Sequence, residues 1–140
     1  MIIGLNFISI NAETKERDDV SGNISVNSSP TIDSVEKRDF SIPGMKNVIG
    51  IGFSFNVRYD PDIGSITLNG EVLYAAEKMD NILKVWKEKK ALDDSIALEV
   101  LNAIFRRSLI KAIELSSELR LPPPVTLPVV RKEDAQMKKK

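Results

Sequence analysis

The sequence contains neither cysteine nor histidine in its 140 residues. Without cysteine the chain can form no disulfide, no thiolate nucleophile and no cysteine-ligated metal site. Without histidine it also lacks the commonest general base and the commonest zinc or iron ligand. Acid–base chemistry would therefore depend on carboxylates, lysine or tyrosine. We expect a protein that is not an enzyme and that holds no metal or other cofactor.

A charge excess and long apolar runs are absent as well. The 20 basic and 20 acidic residues give a formal net charge of +0, which provides no general attraction to nucleic acid or to an anionic membrane. No stretch approaches the roughly 18 apolar residues of a membrane span. Residues 1–10 are apolar but have no basic leader, so they make a poor signal peptide. We expect a cytoplasmic protein without a membrane partner.

The clearest local pattern is an alternation of apolar and polar residues over 48–59 and again over 65–75. Such alternation predicts strands with one buried face. The intervening sequence Asp-Pro-Asp-Ile-Gly at 60–64 predicts a turn, in which proline suits the second position of a type I turn and glycine a left-handed position. Together these segments predict a β-hairpin.

Two further strand regions precede the hairpin. Residues 2–10 alternate in part, and we expect a charged loop over 13–19 after them. Residues 22–28 alternate clearly, and Pro30 is expected to interrupt that strand because proline donates no ladder hydrogen bond. A second alternating piece follows with Ile32 and Val35. An Ile-Pro-Gly turn at 42–44 separates it from the hairpin.

Helical periodicity follows the strands. Residues 80–90 predict a short amphipathic helix, and residues from about 94 to 119 predict a long one with Asp93 and Asp94 at its start. The Leu-Pro-Pro-Pro sequence at 121–124 is expected to end the long helix. Its apolar arc is broader than one sheet contact requires, so a partner subunit or the short helix should cover the rest.

These elements predict an α+β fold with an antiparallel four-stranded, or slightly larger, sheet packed by one long C-terminal helix and one short helix. We expect residues 1–130 to form a single domain. Residues 125–130 should be extended, and residues 131–140 should form a charged, disordered tail.

Two sequence features could carry chemistry, but each has a simpler structural interpretation. Asp60 and Asp62 could bind a metal or act as acid and base, yet aspartate is common in turns for its backbone hydrogen bonding. Gly50 and Gly52 form a G-x-G inside a strand, without the third glycine of a dinucleotide site. We expect these glycines to allow a backbone or bulky side chain to approach, or to permit a bend.

Lysines around Trp86 suggest nucleic-acid binding as an alternative function. Acidic neighbours offset their charge locally, and Trp86 belongs to the apolar stripe of its own helix, so a solvated face is the simpler interpretation. The lysines in question are Lys84, Lys87, Lys89, Lys90 and the terminal Lys138, Lys139 and Lys140.

The end of the long helix carries a family resemblance. A helix with Leu109, Ile113 and Leu115 runs into the sequence LRLPPPVTLP at 119–128. With the order of elements over about 22–130, this pattern resembles the bacterial export chaperone SecB and its relatives, whose chains also leave their long helix through a proline-containing apolar segment.

The resemblance implies a four-stranded antiparallel sheet with helices on one face. It also implies dimers or tetramers and long apolar grooves that hold unfolded chains. By resemblance, the candidate groove residues are Phe53, Phe55, Trp86, Val125 and Leu127. The functional hypothesis is a non-catalytic protein-binding module of the holdase type. The alternatives are a nucleic-acid or ribosome-associated accessory protein and a structural oligomeric protein.

Overall fold

The computed structural model describes residues 1–15, 24–39 and 47–125. Within them it contains an antiparallel sheet and two helices, which confirms the predicted α+β class. The elements are β1 (Ile2–Thr14), β2 (Ser25–Arg38), β3 (Val48–Asp60), β4 (Gly64–Ala75), α1 (Met79–Lys89) and α2 (Asp94–Glu118).

The four strands pair in the order β1-β4-β3-β2, so β3 and β4 are central and β1 and β2 are the edges. All three pairings are antiparallel. The predicted hairpin is formed by β3 and β4, with Phe53 opposite Gly70 and Val57 opposite Ile66. Its alternation is confirmed, because the odd positions of β3 and the even positions of β4 are buried on one face.

The glycine of the hairpin turn has a different role from the one that the sequence predicts. Gly64 does not adopt a left-handed backbone. A Cβ at this position would instead lie 2.6 Å from the carbonyl oxygen of Glu13 and 3.0 Å from the methyl carbons of Leu121. Gly64 is therefore required by the close approach of β1 and of the chain that follows α2.

Both edge strands are longer than the sequence predicts. Glu13 and Thr14, assigned to a charged loop, pair with Ser65 and Gly64 as the last residues of β1. Pro30 does not interrupt β2 but lies within it, opposite Phe55. Proline is tolerated on an edge strand, where its missing amide proton faces solvent. The predicted turn at 42–44 and most of the predicted loop at 13–19 lie outside the described residues.

The helices cover one face of the sheet and enclose two neighbouring apolar clusters. Val100 and Ile104 of α2 pack into the first cluster, together with Ile51 and Phe53. Ala112 packs into the second cluster, whose other buried members are Phe55, Val57, Tyr59, Ile63, Ile66, Leu68 and Leu121. α2 therefore joins both halves of the core.

The buried stripe of α2 includes two polar residues, both serines. Its members are Val100, Ile104, Ser108, Ala112 and Ser116. The Ser116 hydroxyl donates to the Ile113 carbonyl oxygen at 2.8 Å. The Ser108 hydroxyl is fully buried and has no hydrogen-bond partner among the described residues. Small side chains on this stripe let the helix axis approach the sheet, and the buried serine hydroxyl lowers stability.

The predicted surplus of apolar surface on α2 is exposed. Leu98 and Ile110 are 65% and 63% exposed, and Phe105 is 38% exposed although its ring contacts Phe55 edge-on. The short helix does not cover these side chains, contrary to one of the two expectations above.

Backbone geometry ends α2 before the prolines begin. Arg120 is left-handed with φ 56°, the Leu121 amide donates to the Ser116 carbonyl at 2.9 Å, and the Arg120 amide donates to Ser117. This pattern of hydrogen bonds is a Schellman motif, and Leu121 is buried beneath it. Prolines are common just after such an end because they cannot continue a helix, so here they follow the stop and do not cause it.

Candidate functional site

The edge strand β2 changes register where it passes the short helix. Ile32 lies opposite Phe53 and Ser34 opposite Gly52, so Asp33 is an extra residue in the strand. An insertion of this kind is a β-bulge, which leaves its residue unpaired and bends the edge. The Ser54 hydroxyl donates to the Asp33 carboxylate at 3.4 Å on the sheet face that the helices do not cover.

The short helix α1 is held over the same end of the sheet by its apolar side. Ile82, Leu83 and Trp86 are half-buried against the first core cluster. The helix ends at Lys90, which is left-handed with φ 53° and whose amide donates to the Trp86 carbonyl at 2.8 Å. The last turn of α1 lies beside β2.

A cleft of about 410 Å³ lies between β2 and α1, and we call it the strand–helix cleft. Val35 and the half-buried side chains of Leu83 and Trp86 provide its apolar surface. The strand contributes Asp33, Ser34, Val35 and Glu36, and the helix contributes Leu83, Trp86, Lys87 and Lys90.

The two walls of the strand–helix cleft carry opposite charges. Asp33 and Glu36 are exposed on the strand, and Glu36 accepts a hydrogen bond from Arg38 at 3.2 Å. Lys87 and Lys90 are exposed on the helix, and the Lys90 ammonium lies 5.8 Å from the centre of the Trp86 ring. At that distance a cation attracts the face of an aromatic ring.

Of the four groove residues that the structure describes, Trp86 alone lines the strand–helix cleft. Phe53 and Phe55 are 1% and 0% exposed, so in the folded monomer their rings belong to the core and offer no surface to a ligand. Val125 is half-buried just after Pro122, whose carbonyl accepts a hydrogen bond from the Tyr59 hydroxyl at 2.7 Å. Leu127 lies outside the described residues.

The structure therefore does not gather the four described candidates into one groove. Beside the cleft, Val35 of β2 pairs with Ile51 of β3. The segment that includes Val125 lies instead near Tyr59 of β3, which is hydrogen-bonded to Pro122. The two positions on β3 are separated by about 27 Å of extended strand. The sequence pointed to Lys87 and Lys90, as possible nucleic-acid contacts, but not to Asp33 and Glu36, because these carboxylates are distant in sequence from the lysines.

The glycine pair in β3 allows bulky side chains to approach. A Cβ on Gly50 would lie 2.6 Å from a carboxylate oxygen of Glu71, and one on Gly52 would lie 2.3 Å from the Ser34 hydroxyl. Across Gly50, Arg38 donates two hydrogen bonds of 2.9 Å to Glu71. These hydrogen bonds lower the pKa of the Glu71 carboxyl. The Arg38–Glu71 ion pair connects β2 to β4 across β3.

The other chemical candidates remain ordinary surface groups. Asp62 forms an ion pair with Lys15 in the hairpin turn. No three acidic side chains converge as a potential metal site in the parts of the chain that the structure describes. Trp86 faces the core and the cleft, so it does not form an outward stacking surface between the exposed Lys84 and Lys89. Lys138, Lys139 and Lys140 lie beyond the described residues.

Two further cavities flank the helices. One of about 320 Å³ lies between β1 and α2, where Phe7, Ile10 and Ile110 meet Arg107 and Lys111. Another of about 530 Å³ lies on the other side of α1, beside Tyr74 and Asp93. Burial, followed by the nearby Glu99 carboxylate, raises the pKa of the Tyr74 hydroxyl, which donates to Glu99 at 3.2 Å.

No protein-family model matches the sequence, and no curated protein matches it. A solved structure does match the fold. It is the SecB-like chaperone Rv1957 of Mycobacterium tuberculosis in complex with a ChAD peptide from the antitoxin Rv1956 HigA1. The TM-score is 0.57 at 13% sequence identity, and the match covers 94% of this chain and 91% of that chain.

The chain has a SecB-like fold. The likeness extends over most of both chains and is therefore a likeness of the fold as a whole. The SecB-like fold confirms the family resemblance seen in the sequence. No helix among the described residues is both long and apolar enough to cross a membrane.

Proposed function

We propose that this protein is a non-catalytic protein-binding module that holds unfolded polypeptide, as a SecB-like holdase. The observation that carries the proposal is the strand–helix cleft, where the half-exposed Trp86 lies beside the open edge of β2. An extended chain can add to an exposed sheet edge through its backbone, while adjacent pockets accept its side chains. Because its hydrogen bonds come from the client backbone, this mode of binding can accept clients of many sequences.

The fold supports the same proposal. Rv1957 was solved with a peptide from another protein, so a chain of similar fold has a polypeptide ligand. The cleft found here combines the apolar surface of Val35, Leu83 and Trp86 with charged groups on both walls, so it can contact both apolar and polar side chains of a ligand. We infer that client chains bind along β2 with apolar side chains directed at Leu83 and Trp86.

We also propose that the protein is a homo-oligomer, a dimer or tetramer, assembled through its other edge. Ile8 and Ile10 on β1 are 69% and 46% exposed, and Ile110 of α2 is exposed beside Ile10. Exposed apolar side chains along a strand edge favour pairing with another chain. A second copy placed there would leave the strand–helix cleft open.

The test is suppression of aggregation of a chemically denatured client, followed by light scattering at stoichiometric ratios. We expect suppression by the wild type, and Trp86→Ala should lose most of it because the aromatic surface of the cleft is removed. Leu98→Ala is the matched control, since Leu98 is 65% exposed but does not line the cleft. Circular dichroism of each variant verifies folding.

Two results would contradict the proposal. An absence of suppression by the wild type would exclude a holdase. Equal suppression by the wild type and by folded Trp86→Ala would place the client surface outside the strand–helix cleft. Salt-sensitive RNA retention that depends on Lys84 and Lys87 would favour the nucleic-acid alternative instead.

A further inference from the structure

The charges of the strand–helix cleft lie on different sides of the sheet plane. Asp33 contacts Ser54, and Glu36 contacts Arg38, on the face that the helices leave open. Lys87 and Lys90 belong to α1, which covers the opposite face. A chain lying along β2 would therefore meet carboxylates on one side and ammonium groups on the other.

Side chains of an extended polypeptide alternate between the two faces of a sheet. If such a segment continues the sheet beside β2, its odd side chains face one wall of the cleft and its even side chains face the other. The helix side also presents the apolar surfaces of Leu83 and Trp86. The two sides consequently favour different residue types at successive positions of the same ligand.

We propose that the cleft selects extended segments in which basic residues alternate with apolar or acidic residues. The basic side chains pair with Asp33 and Glu36, and the intervening side chains contact Leu83 and Trp86 or pair with Lys87 and Lys90. This selection rule rests on the proposed function, because it specifies the client of the same cleft. It follows from charge complementarity on the two walls and not from apolar area alone.

Other occupants satisfy these walls less well. A wholly apolar segment would partly desolvate Asp33, Lys87 and Lys90 without giving them an ionic partner, which is unfavourable. The edge strand β1 of a second copy is also a poor match, because residues 1–12 contain no charged side chain. Complementary charges on an extended client are therefore the best match to the cleft.

The sole tryptophan of the chain makes the cleft directly observable. Trp86 emission can be titrated with a capped peptide of repeating Lys-Leu-Lys-Glu, which places lysine on one face. A peptide of repeating Lys-Lys-Leu-Glu has the same composition and net charge but places lysine on both faces. We expect the first to bind about tenfold more tightly at low salt, since several exposed ion pairs differ between the two. High salt should reduce the difference.

Charge reversal on the helix wall tests the assignment. A Lys87→Glu, Lys90→Glu variant should lose the preference and should bind the Lys-Lys-Leu-Glu peptide at least as well as the Lys-Leu-Lys-Glu peptide. Lys84→Glu, Lys89→Glu is the matched control, because it makes the same charge change on the same helix outside the cleft lining. The control should keep the wild-type preference.

The outcomes separate the selection rule from the proposed function. Equal affinity for the two peptides overturns the rule while binding itself stands. Unchanged Trp86 emission with every peptide, together with continued suppression of aggregation, also overturns the rule because clients then bind elsewhere. Loss of both peptide binding and suppression overturns the holdase proposal as well. Emission that depends on protein concentration without peptide would show a second copy in the cleft and would overturn the rule.

Discussion

The two edges of the sheet have very different chemistry. β1 carries no charge through Ala12 and exposes Ile8 and Ile10. β2 contains Pro30, an aspartate at its bulge, and charged residues at its end. Proline and charges are devices by which proteins prevent unwanted edge pairing. Both edges have bulges, with Ile8 an extra residue in β1, so the proline and the charges are what distinguish β2. The apolar edge of β1 is the one that we propose for assembly, and the charged edge of β2 is the one that we propose for reversible contact with clients.

The largest expected effect comes from charging the β1 edge. Ile8→Lys, Ile10→Lys should convert the proposed oligomer to monomer, because each isoleucine buried at an interface contributes roughly 1.5–3 kcal/mol. That corresponds to dissociation about 100-fold easier or more, which sedimentation velocity measures. Both side chains are exposed in the monomer, so the fold should remain intact.

The matched control places the same charges on the other edge. Ser29→Lys, Thr31→Lys alters two exposed residues of β2 and should leave the mass unchanged. Equal loss of assembly in the two variants would show that the edges do not differ as proposed. A wild-type monomer would show that β1 does not mediate assembly.

An intermediate effect is expected from the ion pair that connects β2 to the centre of the sheet. Glu71→Gln should lower the free energy of unfolding by about 1 kcal/mol at pH 7, since a charged hydrogen bond is lost and Arg38 is 38% exposed and partly screened. Chemical denaturation measures this difference. Glu13→Gln, at an exposed position of β1, should change stability little.

The pH dependence of that difference has a defined sign. The folded-state pKa of Glu71 lies below the usual 4.5, so its stabilising contribution is present above pH 4.5 and is lost as pH falls through the folded-state pKa. The difference in the free energy of unfolding between wild type and Glu71→Gln should therefore disappear in acid. If this difference in stability stays constant at low pH, the Arg38–Glu71 ion pair does not cause it.

The smallest effect concerns the proline of β2. Pro30→Val restores an amide donor on the open edge and should change the free energy of unfolding by only a few tenths of a kcal/mol. It should nevertheless increase slow self-association, which light scattering detects. Ser28→Val is the control, because it adds a β-branched side chain without adding a donor. Identical scattering by the two variants would show that Pro30 does not limit self-association through this edge.

Periodicity predicted the centre of the fold well, because a buried face leaves a clear alternation. β3, β4 and α2 follow such patterns almost to the residue. The edges were predicted less well. The charge of Glu13 suggested a loop, and Pro30 suggested a break, although both are compatible with a strand that has a neighbour on one side only.

The candidate site was predictable only in part. Alternation shows that Phe53 and Phe55 share a face, but it does not show whether a helix covers that face, and here α2 does. Trp86 was a groove candidate by the family resemblance, and it lines the cleft. The acidic wall was not predicted, because Asp33 reaches the cleft through a bulge that carries no local sequence signal. The left-handed Arg120 at the end of α2 was likewise invisible, since glycine usually occupies that position.

The strand order also determines when β1 can fold during synthesis. β1 pairs with β4, so Ile2 is joined to Tyr74 and Thr14 to Gly64. The ribosome must therefore produce most of the sheet before the first strand finds its place. During that interval an uncharged apolar segment is exposed in the nascent chain, which is the condition under which polypeptides aggregate. This protein is thus, for part of its own synthesis, open to the kind of aggregation that a holdase prevents, although residues 1–12 match its own cleft poorly.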